Sequence, residues 1–256
     1  MSEKNREGKR AARDRLAAQR EKQKSAEKRR RGMIVGAAII CVLALATVGG
    51  LLAANSGKKS SASGPTIGPS GATGKDGLAI PVGKDAARST LTVWEDFRCP
   101  ACKVFETVYR PTLRELVDAG KLKVEYHLVT LIDGNMGGSG SLHAANAAAC
   151  AQDAGKFKAY HDVLYDNQPK ETEDTFADHA KLIGLAGKVS GLDTPTFQKC
   201  VKDGTHNGWV KKSNDAFEKG HFTGTPTVLL GDKNIIEDRT MTPAKLKQLV
   251  EAAHRS

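Results

Sequence analysis

Val93-Trp94-Glu95-Asp96-Phe97-Arg98-Cys99-Pro100-Ala101-Cys102 joins a short apolar run to two cysteines separated by two residues. The run Leu91 to Phe97 reads as a buried strand, and Lys103 to Val117 reads as a helix. Cys99 therefore stands at a helix start. Orphan N–H groups and the positive end of the helix dipole favour its thiolate there. The thiolate is the species that attacks a disulfide. Cys102, three residues on, faces the same side and can close a bond with it. A lone CxxC pair is also half of a zinc site. Strand, CxxC and helix in succession form a narrower pattern, and it points to dithiol chemistry.

Outward from this motif, strands and helices alternate. Leu78 to Val82 is expected to be an edge strand. Pro111 should kink or break the first helix near Arg110, and Gly120 should end it. Lys121 to Thr130 alternates apolar and polar residues as a strand. Strand, helix and strand at this spacing make a right-handed parallel unit. Helices are then expected over Ser141–Asp153, Lys156–Tyr165, Thr172–Leu185 with Thr172 as cap, Thr194–Asp203 and Thr205–Lys219. Thr225 to Gly231 reads as a strand entered through Pro226. Lys233 to Ile236 pairs with it as a hairpin, and Ala244 to Ala253 forms the last helix. The class is α/β, with a helical block inserted over about 140–220.

Charge and hydropathy set the address. Residues 1–31 hold 13 Lys or Arg against 5 Asp or Glu, a net of +8 out of +10 for the chain. The basic excess is thus a tail, not a nucleic-acid-binding domain. Met33 to Ala54 follows with 22 uncharged residues, enough for one membrane span with the basic side inside. A cleaved signal peptide is the alternative. Within the span, Cys41 reads as an apolar filler. The domains expected are a cytoplasmic tail (1–31), an anchor (32–54) in the lipid bilayer through 33–54, a flexible linker (55–76) and an extracytoplasmic domain (77–256).

Asp-Phe-x-Cys-Pro-x-Cys at Asp96 to Cys102, Gly224-Thr225-Pro226-Thr227, and the Ala-rich start at Leu142-His143-Ala144-Ala145 together resemble the DsbA-like branch of the thioredoxin superfamily. The tail, anchor and linker resemble membrane-tethered members of Gram-positive, actinomycete type. The resemblance implies a thioredoxin-like fold with an inserted helical subdomain. A zinc site would need four convergent ligands, and the sequence has no second CxxC and no His spacing that supplies them, so no metal or cofactor is expected. The resemblance implies that Cys99 is an exposed nucleophile, Cys102 a buried resolving thiol and Pro226 a cis residue against the pair. It also implies that Pro100 and Ala101 tune the site. Related oxidants carry a His at the Ala101 position to stabilise the thiolate. Ala101 offers nothing comparable, so the potential is expected between about −270 and about −120 mV.

Other residues carry smaller expectations. Thr225 can offer its backbone groups to a passing peptide as an added strand. Asp96 or Glu95 would manage the Cys102 proton. Alternation sends the two to opposite faces, so only one should face the core; Asp96 could instead cap the Cys99 helix or bind Arg98. His127, His143, His161 and His221 are scattered, with structural roles. Cys150 and Cys200 form a leftover pair in an oxidising compartment, and a structural disulfide is expected between them rather than an electron relay. The function expected is an exported thiol–disulfide oxidoreductase, monomeric, that forms disulfides in unfolded or cysteine-containing secreted proteins and is reoxidised by a membrane redox partner. A reductase or isomerase running the other way, or a non-catalytic peptide-binding module, are the alternatives.

Overall fold

A computed structural model describes residues 66–255. The tail, the expected anchor and the first half of the linker (55–65) lie outside the described residues. Among the described residues no helix is long and apolar enough to cross a membrane.

Five strands form one sheet: β1 (Ile80–Val82), β2 (Ser89–Glu95), β3 (Leu122–Leu128), β4 (Thr227–Leu230) and β5 (Lys233–Asn234), ordered β1-β3-β2-β4-β5. β2 and β3 run parallel, with Ser89 beside Leu122 and Glu95 beside Leu128, and β1 and β4 flank them antiparallel. The crossover between β2 and β3 is α1 (Pro100–Asp118). Leu91 and Val93 are buried and alternate with half-buried Thr90 and Thr92. From Val93 to Glu95 every residue is buried. The alternation stops because helices cover both faces at the C-terminal end of β2.

Pro111 does not break α1, contrary to expectation; the helix runs unbroken from Pro100 to Asp118. Pro111 and Thr107 are both exposed, so the Thr107 carbonyl that loses its N–H partner faces water instead of the core.

Between β3 and β4 lie α2 (Leu131–Met136), α3 (Gly140–Asp153), α4 (Phe157–Asp166), α5 (His179–Ala186), α6 (Pro195–Asp203) and α7 (Asn207–Lys219); α8 (Pro243–Arg255) closes the chain. α3 is the hub, buried nearly all round. Its alanines let neighbouring helices approach closely while keeping strong helix propensity. The helix expected from Thr172 begins instead at His179, capped by Asp178, whose carboxylate accepts the Ala180 N–H. α2 escaped sequence reading because Gly134 and Asn135 look like a turn.

Residues 66–79 form a strap on the insertion. Ile67 O accepts from His206 Nδ1 at 2.9 Å, and the Ser70 N–H donates to Asp153 at 2.7 Å. Trp209 Nε1 donates to Gly77 O at 2.7 Å. Gly68 sits against the Trp209 ring, where a Cβ would come within 3.2 Å.

Candidate active site

Cys99 is the N-cap of α1, with extended φ/ψ, and its carbonyl accepts the Lys103 N–H at 3.2 Å. The Thr225–Pro226 peptide is cis, and the Cys99 thiol donates to the Thr225 carbonyl at 3.3 Å. Both Cys99 and Cys102 are free thiols. Cys99 is only 2% exposed, not the open nucleophile expected. The Thr225 carbonyl lies on its sulfur, and Gln168 Nε2 bonds its carbonyl at 2.9 Å. Gln168 also bonds the Phe97 carbonyl at 2.9 Å, fixing the backbone on the approach to the motif.

The two sulfurs titrate apart. A hydrogen bond from the Cys102 thiol pulls the Cys99 pKa down against the opposing effect of burial. Burial pushes Cys102 well up, and its bond to Cys99 adds to this. One thiol is thereby prepared as the attacking thiolate while the other holds its proton.

Asp96 and Glu95 are both fully buried, whereas alternation allowed only one to face inward. Asp96 lies just past the last residue of β2, where the alternation no longer applies. Its carboxylate accepts the N–H groups of Arg98 at 2.7 Å and Ile132 at 2.9 Å. It neither caps α1 with its side chain nor binds the Arg98 guanidinium. Burial raises its pKa to about 7.

Arg98 was not legible as a site residue. Its guanidinium is buried and bonds Asp133 at 2.7 Å, Gly137 O at 2.9 Å and Glu171 O at 3.2 Å, and it pairs with Asp174 at 3.0 Å. Asp133 accepts the N–H groups of Ser141 and Leu142, and Asp174 those of Ser139 and Gly140. The residue before the nucleophile thus ties two loops to the start of α3. A Cβ on Gly138 or Gly140 would collide with the Asp174 carboxylate. No sequence motif signals this knot, because its members are up to 76 residues apart.

Cys150 of α3 and Cys200 of α6 are joined, with Cα atoms 5.9 Å apart. Their sulfurs lie near His206, whose Nε2 is 2.8 Å from Asp153. The other histidines differ in setting. Trp94 stacks on His127 at 3.9 Å, and burial lowers the His127 pKa to about 4. His143 Nδ1 meets the Ala177 carbonyl. His221 is exposed with φ 54° in the loop before Thr225.

His161 is fully buried, with Nε2 2.8 Å from Glu95 Oε1. Burial alone would lower its pKa, but Glu95 and Glu106 overcome this and raise it to about 10. A raised folded pKa gives stability that is complete below about 6.5 and lost as pH climbs toward 10. Glu106, raised by burial to about 7, has finished most of its own change by pH 8. With the Cys99–Cys102 disulfide closed, so that the lowered Cys99 pKa adds no opposing slope, the melting temperature is therefore expected to fall between pH 7 and 9, and His161→Gln to flatten that slope. Thermal melts across this range check it; an unchanged slope in the variant contradicts the assignment.

A protein-family model described as thioredoxin matches residues 75–252. Disulfide bond formation protein D of Bacillus subtilis is 29% identical over 157 residues, 60% of this chain and 68% of that one. Among solved structures, the reduced disulfide bond oxidoreductase DsbG of Mycobacterium tuberculosis superposes with a TM-score of 0.61 at 27% identity, covering 70% of this chain and 89% of its own. Oxidised DsbA of the same organism gives 0.59 at 28% identity, covering 68% and 92%.

Proposed function

The chain belongs to the thioredoxin family, and from that premise we propose that Cys99 and Cys102 are the redox pair of a disulfide-forming thiol–disulfide oxidoreductase. The observation that carries this reading is the split pair: a Cys99 thiol with lowered pKa at the start of α1, against the Thr225 carbonyl, with a fully buried Cys102 behind it.

A client thiolate attacks Cys99 Sγ in the Cys99–Cys102 disulfide. The S–S bond breaks, a mixed disulfide forms at Cys99, and Cys102 leaves as a thiolate that takes up a proton. The client's second thiolate attacks its own sulfur in that mixed bond. Its disulfide closes, and the Cys99 thiolate is released. The lowered Cys99 pKa makes it the better leaving group. Thr225 and Pro226 flank the sulfur, and the Thr225 backbone can hold the client as an added strand. Pro100 and Ala101 tune the pair from the first turn of α1, and Asp96 handles protons beside it.

The basic tail and the 22-residue uncharged run support a single-pass anchor with the catalytic domain extracytoplasmic. Cysteine-containing exported proteins are then its clients, and a membrane oxidant resets the dithiol. An oxidant favours its own dithiol form. The reduced protein is expected to unfold at denaturant concentrations equal to or above those of the oxidised protein, with Cys150–Cys200 closed in both. A clearly more stable oxidised form, with a glutathione-referenced potential near about −270 mV, would move the reading to a reductase.

A further inference from the structure

Gln168 stands just past the end of α4 (Phe157–Asp166). Pro169 follows it and disfavours helical backbone at Gln168, so the chain leaves the helix there. The side chain turns onto the segment that enters α1. Its Nε2 donates to the Phe97 carbonyl and to the Cys99 carbonyl, each at 2.9 Å. Both partners are acceptors, so only the amide NH2, with its two hydrogens, fits between them. From the last turn of α4 the Tyr165 hydroxyl donates to the Asp96 carbonyl at 3.3 Å. The loop after Gln168 is held from the other side, because the Arg98 guanidinium donates to the Glu171 carbonyl and pairs with Asp174. Three carbonyls around the nucleophile thus receive donors from the end of α4.

Satisfaction of buried groups does not explain both bonds of Gln168. The Cys99 carbonyl already accepts the Lys103 N–H at 3.2 Å. Gln168 is itself half-buried, so no packing need fixes an amide there. Charge gives a reason. A carbonyl oxygen carries partial negative charge, and the Cys99 carbonyl belongs to the residue whose sulfur ionises. The Cys102 thiol stabilises the Cys99 thiolate, and burial opposes it. In a site with little water, fixed dipoles act at short range with little screening. Each Gln168 hydrogen lies on an oxygen that otherwise adds negative potential near the sulfur. The same two bonds span Arg98 and set the Cys99 backbone, which places the sulfur 3.3 Å from the Thr225 carbonyl.

We infer that Gln168 is a positioning residue for the thiol–disulfide reaction: by holding the Phe97 and Cys99 carbonyls it keeps the Cys99 thiolate stabilised, a task that Ala101 leaves open. The inference rests on the reading of Cys99 as the nucleophile, and it gives the helical insertion a part in the chemistry. A stabilised thiolate draws the protein disulfide and two glutathione thiols toward the protein dithiol and glutathione disulfide. The Cys99–Cys102 bond breaks and is reduced, and the two glutathione sulfurs join and are oxidised. One of their protons goes to Cys102, the other to solvent, and Cys99 stays a thiolate.

The rate at which iodoacetamide alkylates Cys99, measured against pH and read peptide by peptide by mass spectrometry, follows the Cys99 thiolate alone. Gln168→Met keeps the length of the side chain and removes both donors. Its half-titration point is expected about 0.5–1 pH unit above that of the unaltered protein. Gln168→Glu keeps the shape and puts an oxygen where the donors stood, so it should move the point further in the same direction. With glutathione near pH 7, the equilibrium constant for forming the dithiol should fall about 3–10-fold in Gln168→Met, the same shift read as a ratio. A side chain that only supported the fold would lower the melting temperature and leave both readings where they are. That result in the two variants overturns the inference, and so does a downward shift in Gln168→Glu. Faster labelling of Cys102 than of Cys99 in the unaltered protein would instead remove the assignment of the pair, before any variant is read, and the inference with it.

Discussion

Cys99→Ala is expected to bring oxidation of a reduced client down to the uncatalysed rate, a loss of about 10³-fold or more, the scale on which removal of a nucleophile is felt. Cys102→Ala should behave differently. Cys99 stays at the start of α1 with its lowered pKa, so it still attacks a disulfide. Without the second sulfur the mixed disulfide cannot resolve within the protein, and the client remains attached. Electrophoresis without reductant, after incubation with a cysteine-containing client, should show a covalent adduct for Cys102→Ala and none for Cys99→Ala. Alkylation kinetics provide the second check, with Cys99 labelled faster than Cys102 near neutral pH. The reverse order, or adducts through Cys102, would falsify the division of roles.

Removing the Cys150–Cys200 disulfide should carry the largest effect on stability. It closes a separation of 50 residues between α3 and α6. Chain entropy for a loop of that length gives about 4 kcal/mol. For a domain of this size that is a fall of roughly 10 °C in melting temperature. The paired Cys150→Ala, Cys200→Ala variant, melted with Cys99 and Cys102 kept reduced, measures it. The Cys99 alkylation rate should change little, because the bond joins two helices of the insertion and touches none of the groups around Cys99. A drop of less than about 1 kcal/mol would mean that the α3 packing holds the insertion unaided.

The elements of the fold were legible where a local pattern carried them. β2 is a short apolar run, β3 alternates, α3 is a run of alanines, and Thr194 with Pro195 marks the start of α6; each acts over a few residues. The Cys pair and the Thr225–Pro226 segment were legible for the same reason. Three kinds of feature were not. Pro111 spares its helix because its face is exposed, and exposure depends on what packs nearby. Cys99 is covered by a loop 126 residues away, so its motif could not show its burial. The partners of Arg98 and His161 come from several elements, and nothing in their spacing marks them as partners. Glu95 and Asp96 show the limit of alternation: it sorts side chains within a strand and says nothing once the chain leaves it.

The chain has two tryptophans, and the fold places them in separate halves. Trp94 lies in the sheet, stacked on His127 and tilted against Phe217 and Phe222 beneath the loop that leads to Thr225. Trp209 is in the insertion, with its indole N–H on the strap. Intrinsic fluorescence is therefore a two-channel record. Trp94→Phe leaves an emission that reports only on the strap and helices, and Trp209→Phe leaves one that reports only on the sheet beside the cysteines. Under denaturant the two spectra would show whether the halves come apart together or in sequence, and which yields first.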